Sequence, residues 1–335
     1  MSPTAAARPS RARILAAFAA VYVIWGSTYL GIKFATETLP PFLMAGVRFL
    51  LAGALLYAWA ERQSAGRGAA KRPSPPEWGW AVLVGGLLLF GGNGAVVWAT
   101  ERVPTGVIAL LIAATPIWMV VIDWLRPGGT RPSGMVAGGL LLGTVGLALL
   151  VSAKGGARGG RIDPLGAAVV LLGSLSWAIG SLASRSSRLP RVPVRSTAMQ
   201  MLGGGALLTL AGLLSGEVAH VHPAAVSARS WLAWAYLVTI GSIVGYTAYI
   251  WLLAHVSAAK VATYAYVNPV VAVALGWAFA GEQVSGHTLA AAAVIVGAVA
   301  LITMGQSRTR SAPATRPSTG AEPLVGAPAR GRSAQ

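Results

Sequence analysis

The chain contains no cysteine and few charged residues. Without cysteine it has no disulfide, no thiolate-bound metal and no cysteine nucleophile. Asp and Glu together number nine, and charged residues of both signs make up only 10% of the 335 residues. Soluble domains usually carry about a quarter charged residues. This shortage of charge excludes an ordinary water-soluble protein.

The sequence also lacks the residue patterns of a catalytic centre. No HExxH or GxSxG motif occurs, and no pair of carboxylates falls within an apolar block. The four histidines lie in predicted loops or at predicted helix ends (His220, His222, His255 and His287). We therefore predict that the protein is not an enzyme and uses neither a cofactor nor a metal. An intramembrane enzyme and a membrane receptor or channel remain as alternatives.

Hydrophobic residues make up 55% of the chain and are grouped in blocks of roughly 20. That length of α-helix crosses about 30 Å of hydrocarbon. The blocks predict an all-α integral membrane protein with ten transmembrane helices, near residues 14–34, 40–60, 78–100, 104–124, 133–152, 163–184, 196–215, 230–254, 258–280 and 287–305.

The net charge of +17 follows from the placement of Lys and Arg. Of these 26 residues, 19 lie in the termini and in the loops after helices two, four, six and eight, and six lie on the other side. Since basic residues collect on the cytoplasmic side, both termini are predicted to be cytoplasmic, as segments 1–13 and 306–335. The latter, rich in Pro, Ala and Arg, is predicted to be disordered. This placement favours a cell membrane and its lipid over a nucleic-acid partner.

The two halves of the chain align with a shift of 152 or 153 residues. Trp25 falls on Trp177, and Gly53-Ala54-Leu55-Leu56 falls on Gly205-Ala206-Leu207-Leu208. The predicted repeats cover residues 14–152 and 163–305. Because each has five spans, an odd number, the second must enter the membrane from the opposite side. The prediction is therefore two inverted five-helix repeats, which enclose a midplane site.

Several segments resemble a known transporter family. They are Trp25-Gly26-Ser27-Thr28-Tyr29, Arg48-Phe49-Leu50-Leu51-Ala52-Gly53, Ala265-Tyr266-Val267-Asn268-Pro269-Val270 and Gly281-Glu282. They are similar to the EamA-type repeats of the drug/metabolite transporter superfamily. The resemblance implies a multi-pass exporter of small metabolites, amino acids or drug-like amphiphiles, working by alternating access in a cell inner membrane. It implies a small-molecule solute as partner and a central cavity lined by helices one, three, four, six, eight and nine.

Candidate cavity residues are polar, aromatic or helix-disturbing residues inside apolar spans. An unpaired polar group is costly there and should face protein or water, while a proline frees the carbonyl four residues earlier. For the tryptophans the alternative is anchoring at the membrane interface, and for the prolines a packing kink. The candidates are Trp25, Thr28, Asn93, Trp98, Pro116, Trp177, Tyr246, Tyr249, Tyr264, Tyr266, Asn268 and Pro269.

Two positive charges also lie within predicted spans. Lys33 is close to the end of helix one and can snorkel to the interface. Arg48 lies deep in helix two, where a central arginine costs about 2.5 to 3.5 kcal/mol on insertion scales. We expect Arg48 to face the bundle interior and to hold carbonyls, water or an anionic solute group. The position matching it in the second repeat is the neutral Gln200.

Glycines recur at four-residue spacing in helix five, among them Gly134, Gly138, Gly139 and Gly143. Such spacing allows another helix to approach closely. The partner is either helix ten or a second protomer, so a homodimer is one of the two predictions.

Overall fold

A computed structural model describes residues 10–65, 72–127, 131–152, 162–184, 188–190, 192–256, 261 and 263–311. The described residues are helical apart from short connections, and they contain no strand. We label the long helices α1 (Arg11–Thr36), α2 (Pro41–Ala65), α3 (Pro75–Ala99), α4 (Thr105–Leu125), α5 (Gly134–Ser152), α6 (Pro164–Ala183), α7 (Pro193–Leu214), α8 (Ala228–Leu253), α9 (Tyr264–Ala280) and α10 (Gly286–Ser311).

Eight helices in the described residues are long and apolar enough to cross a membrane. The apolar parts of α5 and α9 are shorter, Gly134–Leu150 and Val267–Ala280. The fold is therefore an all-α membrane bundle. Helix α10 continues six residues into the segment for which the sequence predicts disorder, and residues 1–9 and 312–335 lie outside the described part.

The helices begin at residues that suit a helix N-terminus. Pro75, Pro164 and Pro193 each stand in a first turn, where the missing amide hydrogen has no intrahelical partner to lose. Asp163 accepts hydrogen bonds from the amides of Leu165 and Gly166. Such caps satisfy amides that the apolar interior of a membrane leaves without water.

Helices α2 and α7 form the central antiparallel pair. Gly46 lies against Thr209, and Gly53 lies against the backbone of Leu202. Since the contact moves towards the start of α7 as it moves along α2, the two helices run in opposite directions. Glycines at these positions let the backbones approach, because a Cβ would meet the neighbouring helix there.

Helices α5 and α10 form a second antiparallel pair. Gly139 lies against Ile302, and Gly146 lies against Ile295. Helix α10 is therefore the neighbour of Gly139 and Gly146, and it is one of the two partners that the sequence predicted for the glycines of this helix. Gly134 and Gly138 have open space in front of them, so the predicted homodimer is untested.

Four further contacts between the halves form two matched sets. Helix α1 packs on α8 and α9 of the second half, and the corresponding α6 packs on α3 and α4 of the first. These four contacts surround the middle of the bundle, and the candidate functional site lies between them.

Helix α4 is interrupted by a turn at Ala113 and Ala114, and Pro116 stands in the first turn of its second part. The carbonyl of Ile112 accepts a hydrogen bond of 2.7 Å from the Thr115 hydroxyl. It is therefore not the free acceptor that the sequence suggested, because a neighbouring side chain replaces the lost amide. Pro269, by contrast, lies inside the continuous helix α9.

Helices α3 and α8 each contain a π-helical segment, Gly86–Asn93 and Leu237–Tyr246. The last residues of these segments, Asn93 and Tyr246, are 153 positions apart, which is the repeat shift. π-Helical turns are rare and occur frequently at functional sites. The two π-helical segments occupy equivalent positions in the two halves. Both end at a residue that lines the same cavity, Asn93 or Tyr246.

Candidate functional site

A cavity lies in the middle of the bundle, between the two halves. The cavity has a volume of about 70 Å³. It is lined by aromatic, aliphatic and polar residues from seven helices: Trp25, Thr28, Tyr29, Ile32, Arg48, Phe49, Leu89, Gly92, Asn93, Val96, Ile112, Trp177, Gly241, Ser242, Tyr246, Tyr264 and Asn268. A mostly apolar pocket with a few convergent polar groups is typical of small-molecule sites.

Aromatic rings form one wall of this cavity. Trp25 contacts Trp177 edge to face with ring centroids 5.7 Å apart, and it contacts Tyr264 in the same manner at 5.5 Å. The ring of Tyr249 packs on Trp25 at 4.7 Å, and that of Tyr246 lies 6.2 Å from Trp25. Such a cluster offers stacking faces to an apolar or cationic solute group.

The lining also contains polar atoms without partners. Nη1 of Arg48 and the amide oxygens of Asn93 and Asn268 are buried and have no hydrogen-bond partner among the described residues. Leaving a buried polar atom unpaired is costly, so functional sites are among the places where it is retained. These three atoms supply one charged donor and two acceptors to whatever occupies the cavity.

The π-helical segment of α8 positions Arg48. Within this segment the hydroxyl of Ser242 donates to the carbonyl of Leu237, five residues earlier, at 2.9 Å. The same hydroxyl oxygen accepts from Nε of Arg48 at 2.8 Å. The guanidinium also lies 4.4 Å from the centre of the Phe49 ring. These contacts hold Arg48 against the cavity and use only part of its donor capacity.

Seven of the predicted site residues line this cavity: Trp25, Thr28, Asn93, Trp177, Tyr246, Tyr264 and Asn268. Tyr249 is buried and packs against their rings. The buried prolines Pro116 and Pro269 do not line it. The side chain of Tyr266 lies outside the described part of the chain.

Trp98 and its repeat partner Trp251 lie outside the cavity. Trp98 borders a groove between α2, α3 and α6, and the guanidinium of Arg102 lies 3.9 Å from the centre of its ring. Trp251 stacks on His255 at 4.4 Å, with the guanidinium of Arg13 at 5.8 Å. Rings flanked by cations near helix ends fit the interfacial alternative better than the cavity.

Lys33 belongs to a polar cluster at one end of α1. Its ammonium donates to Glu282 at 2.9 Å, and Glu282 also accepts from the amides of Thr105 and Gly106 at 2.9 and 3.3 Å. The carboxylate therefore ties the end of α1 to the N-terminus of α4, where the helix dipole favours an anion. We call this set of contacts the Glu282 tie.

The backbone around α9 makes room for the Glu282 tie. Gly281 ends α9 with φ +63°, in the left-handed region that glycine adopts without strain. The amide of Glu282 then bonds back to the carbonyl of Gly276 at 3.1 Å. A Cβ on Gly276 would meet the Glu282 carboxylate and the Thr105 hydroxyl.

A family model gives the clearest comparison with known proteins. The model of the EamA-like transporter family matches residues 12–152 and, a second time, residues 164–304. The chain belongs to the EamA-like transporter family. The two matches begin 152 positions apart, the shift already read from the tryptophans, and the predicted resemblance is confirmed.

Relatives of this EamA-like transporter carry transporter names. An Escherichia coli K12 protein named as an uncharacterized inner membrane transporter, YedA, is 40% identical over 91% of this chain and 95% of its own. A Salmonella typhimurium protein named as a probable amino-acid metabolite efflux pump is 25% identical over 87% of this chain and 95% of its own. A crystal structure 24% identical covers 90% of this chain and 100% of its own with a TM-score of 0.59, which shows the fold alone.

The family and these relatives confirm that the protein is a multi-pass membrane transporter, which handles a small-molecule solute. No group of His, Asp or Glu in the described part of the chain is arranged to hold a metal ion.

Sequence reasoning missed three features of the transporter. The sequence indicated Glu282 only as part of the Gly281-Glu282 segment of the family resemblance, and it did not indicate Ser242 or the two π-helical segments. The left-handed Gly281 next to Glu282 offered some signal, because a Gly-Glu pair after an apolar helix marks a sharp turn. Nothing in the residue types distinguishes the π-helical turns from ordinary helix.

Proposed function

We propose that this transporter exports small metabolites, amino acids or drug-like amphiphiles by alternating access through the central cavity. The observation that carries the proposal is the cavity itself, with its aromatic wall, one unpaired guanidinium nitrogen and two unpaired amide oxygens. A Salmonella typhimurium relative named as a probable amino-acid metabolite efflux pump supports the outward direction.

We propose ten membrane crossings in two inverted repeats, with both termini in the cytoplasm. The antiparallel packing of α2 on α7 and of α5 on α10 supports inversion. These are equivalent helices of the two repeats, and equivalent helices run in opposite directions only if the repeats are related by an axis across the helices. The distribution of Lys and Arg supports the orientation.

Under this orientation the Glu282 tie lies at the outer end of the bundle. It joins α1, α4 and the end of α9, three helices that also contribute Trp25, Ile112 and Asn268 to the cavity. Alternating access requires one repeat to move against the other at each end in turn. We infer that solute release to the outside requires the Lys33–Glu282 contact to break.

Solute flux tests the transport proposal. Purified protein in liposomes should show saturable flux in a competition screen of amino acids, nucleobases, sugars and cationic dyes. Flux near ion-channel rates would favour a pore, and the absence of saturable flux for every class would contradict the proposal.

A further inference from the structure

Arg48 differs from the other buried arginine in the described residues. Arg195 is 6% exposed and forms a 2.9 Å ion pair with Glu61. Arg48 is 4% exposed, and no carboxylate in the described residues pairs with it. Arginine keeps its charge in proteins, so a buried one is normally completed by an anion. Among the described residues such an anion is present beside Arg195 and absent beside Arg48.

The repeat provides an internal comparison for Arg48. The equivalent of Arg48 in the second half is Gln200, and the equivalent of Asn93 is Tyr246. The Tyr246 hydroxyl donates to the Gln200 side chain at 3.3 Å, and this amide also donates to Ser196 at 3.0 Å. In the first half Nη1 of Arg48 and the amide oxygen of Asn93 both lack a hydrogen-bond partner among the described residues. The second repeat pairs the side chains at these two equivalent positions with each other, whereas the first repeat leaves them facing the cavity.

We propose that Arg48 binds the carboxylate of the transported solute, and that the substrate class is small aromatic carboxylates carrying a hydroxyl or amino group. This rests on the proposed function of the cavity. The carboxylate accepts from Nη1 of Arg48, since an anionic oxygen is the acceptor that a desolvated guanidinium binds best. The aromatic body lies against Trp25 and Tyr264, and the hydroxyl or amino group donates to Asn93 or Asn268.

A matched pair of probes tests this inference, 4-hydroxyphenylacetate and its neutral amide, 4-hydroxyphenylacetamide. They differ mainly in the charge that Arg48 would bind. We expect saturable flux of the acid and at least tenfold lower apparent affinity for the amide. A tenfold ratio corresponds to a difference of about 1.4 kcal/mol in binding free energy. Arg48→Gln should abolish this preference, and Arg48→Lys should retain part of it.

Two further variants separate loss of the charge from loss of the fold. Arg195→Gln removes the other buried arginine and should keep the preference for the acid. Asn93→Asp keeps Arg48 and places a carboxylate in its cavity, so it should lower the apparent affinity for the acid at least tenfold and abolish the preference for the acid over the amide. A preference that survives Arg48→Gln or Asn93→Asp in inserted protein would overturn the proposal.

The parent protein distinguishes failure of this inference from failure of the proposed function. Equal flux of acid and amide, or saturable flux of other solute classes without the acid, overturns the carboxylate inference and leaves transport through the cavity standing. The absence of saturable flux for every solute class overturns both.

Vesicles with and without phosphatidylglycerol test whether the anion bound by Arg48 comes from a lipid headgroup. A preference for the acid that is lost when this lipid is present would assign Arg48 to a headgroup, whereas an equal preference in both kinds of vesicle supports a solute carboxylate.

Discussion

Trp25 and Trp177 occupy equivalent positions in the two repeats and contact each other, with ring centroids 5.7 Å apart and planes at 88°. In the two-fold arrangement that we propose for the repeats, equivalent residues can touch only close to the axis. The proposed axis would therefore run beside the cavity that both rings line. In a transporter built from two repeats, this is where a solute would meet both halves at once.

The first prediction concerns this pair. Trp25→Ala or Trp177→Ala should each raise the KM for solute flux by about tenfold, because each removes a ring from the cavity wall. Trp98→Ala is the matched control, since Trp98 lies in a separate groove, and its KM should change by less than about twofold. Equal changes in KM for Trp25→Ala and Trp98→Ala would contradict a role of the Trp25–Trp177 pair in solute binding.

The second prediction concerns the Glu282 tie. Since the chain lacks cysteine, a Lys33→Cys and Glu282→Cys double variant can be joined with a short bifunctional thiosulfonate reagent. Cross-linking should lower flux at least about tenfold, because the outer end can then no longer open. A reducing agent should restore it. Each single variant treated with the same reagent is the control, and full flux through a fully cross-linked protein would show that this end need not open.

The third prediction concerns topology. A reporter active in the cytoplasm should work when fused after Ser307, and alkaline phosphatase should work when fused after Arg102, between α3 and α4. The reason is the excess of Lys and Arg on the side that is proposed to hold both termini. The opposite pattern at the two sites would invert the proposed orientation.

The fourth prediction concerns the buried arginine outside the cavity. Glu61→Gln removes the ion pair between Glu61 and Arg195, which should lower the free energy of unfolding by about 1 to 3 kcal/mol, less than for a fully buried pair because Glu61 is partly exposed. A thermal unfolding curve of the purified protein measures this effect. Arg62→Gln, at an exposed neighbouring position, should leave the curve unchanged. Identical curves for the two variants would mean that the ion pair contributes no stability.

The helices were predictable because their pattern repeats over many residues. Blocks of about 20 apolar residues indicate spans whatever their exact contacts. The shift between Trp25 and Trp177 identified both repeats, and the two family matches keep the same spacing. Polar residues inside spans, such as Asn268, were also expected to face protein or water, since lipid offers them no partner.

Other features depend on contacts that one sequence does not show. Trp98 and Trp25 have the same residue type and similar surroundings in sequence, yet only Trp25 reaches the cavity. Glu282 resembles an ordinary solvated acid until its position between α1 and α4 is known. The absence of a carboxylate beside Arg48, within the part of the chain that the structure describes, is likewise a property of the packed bundle, because it depends on which side chains come near.

Labelling of a single cysteine tests most directly whether the solute passes through the central cavity. Asn268→Cys in this cysteine-free chain should react with a small thiol reagent, and a transported solute from the flux screen should slow the reaction at least about tenfold at saturation. Trp98→Cys should react at the same rate with and without that solute. Protection of Asn268→Cys alone is the predicted result. Unchanged labelling of Asn268→Cys at a solute concentration that saturates flux would contradict the central cavity as the transport site.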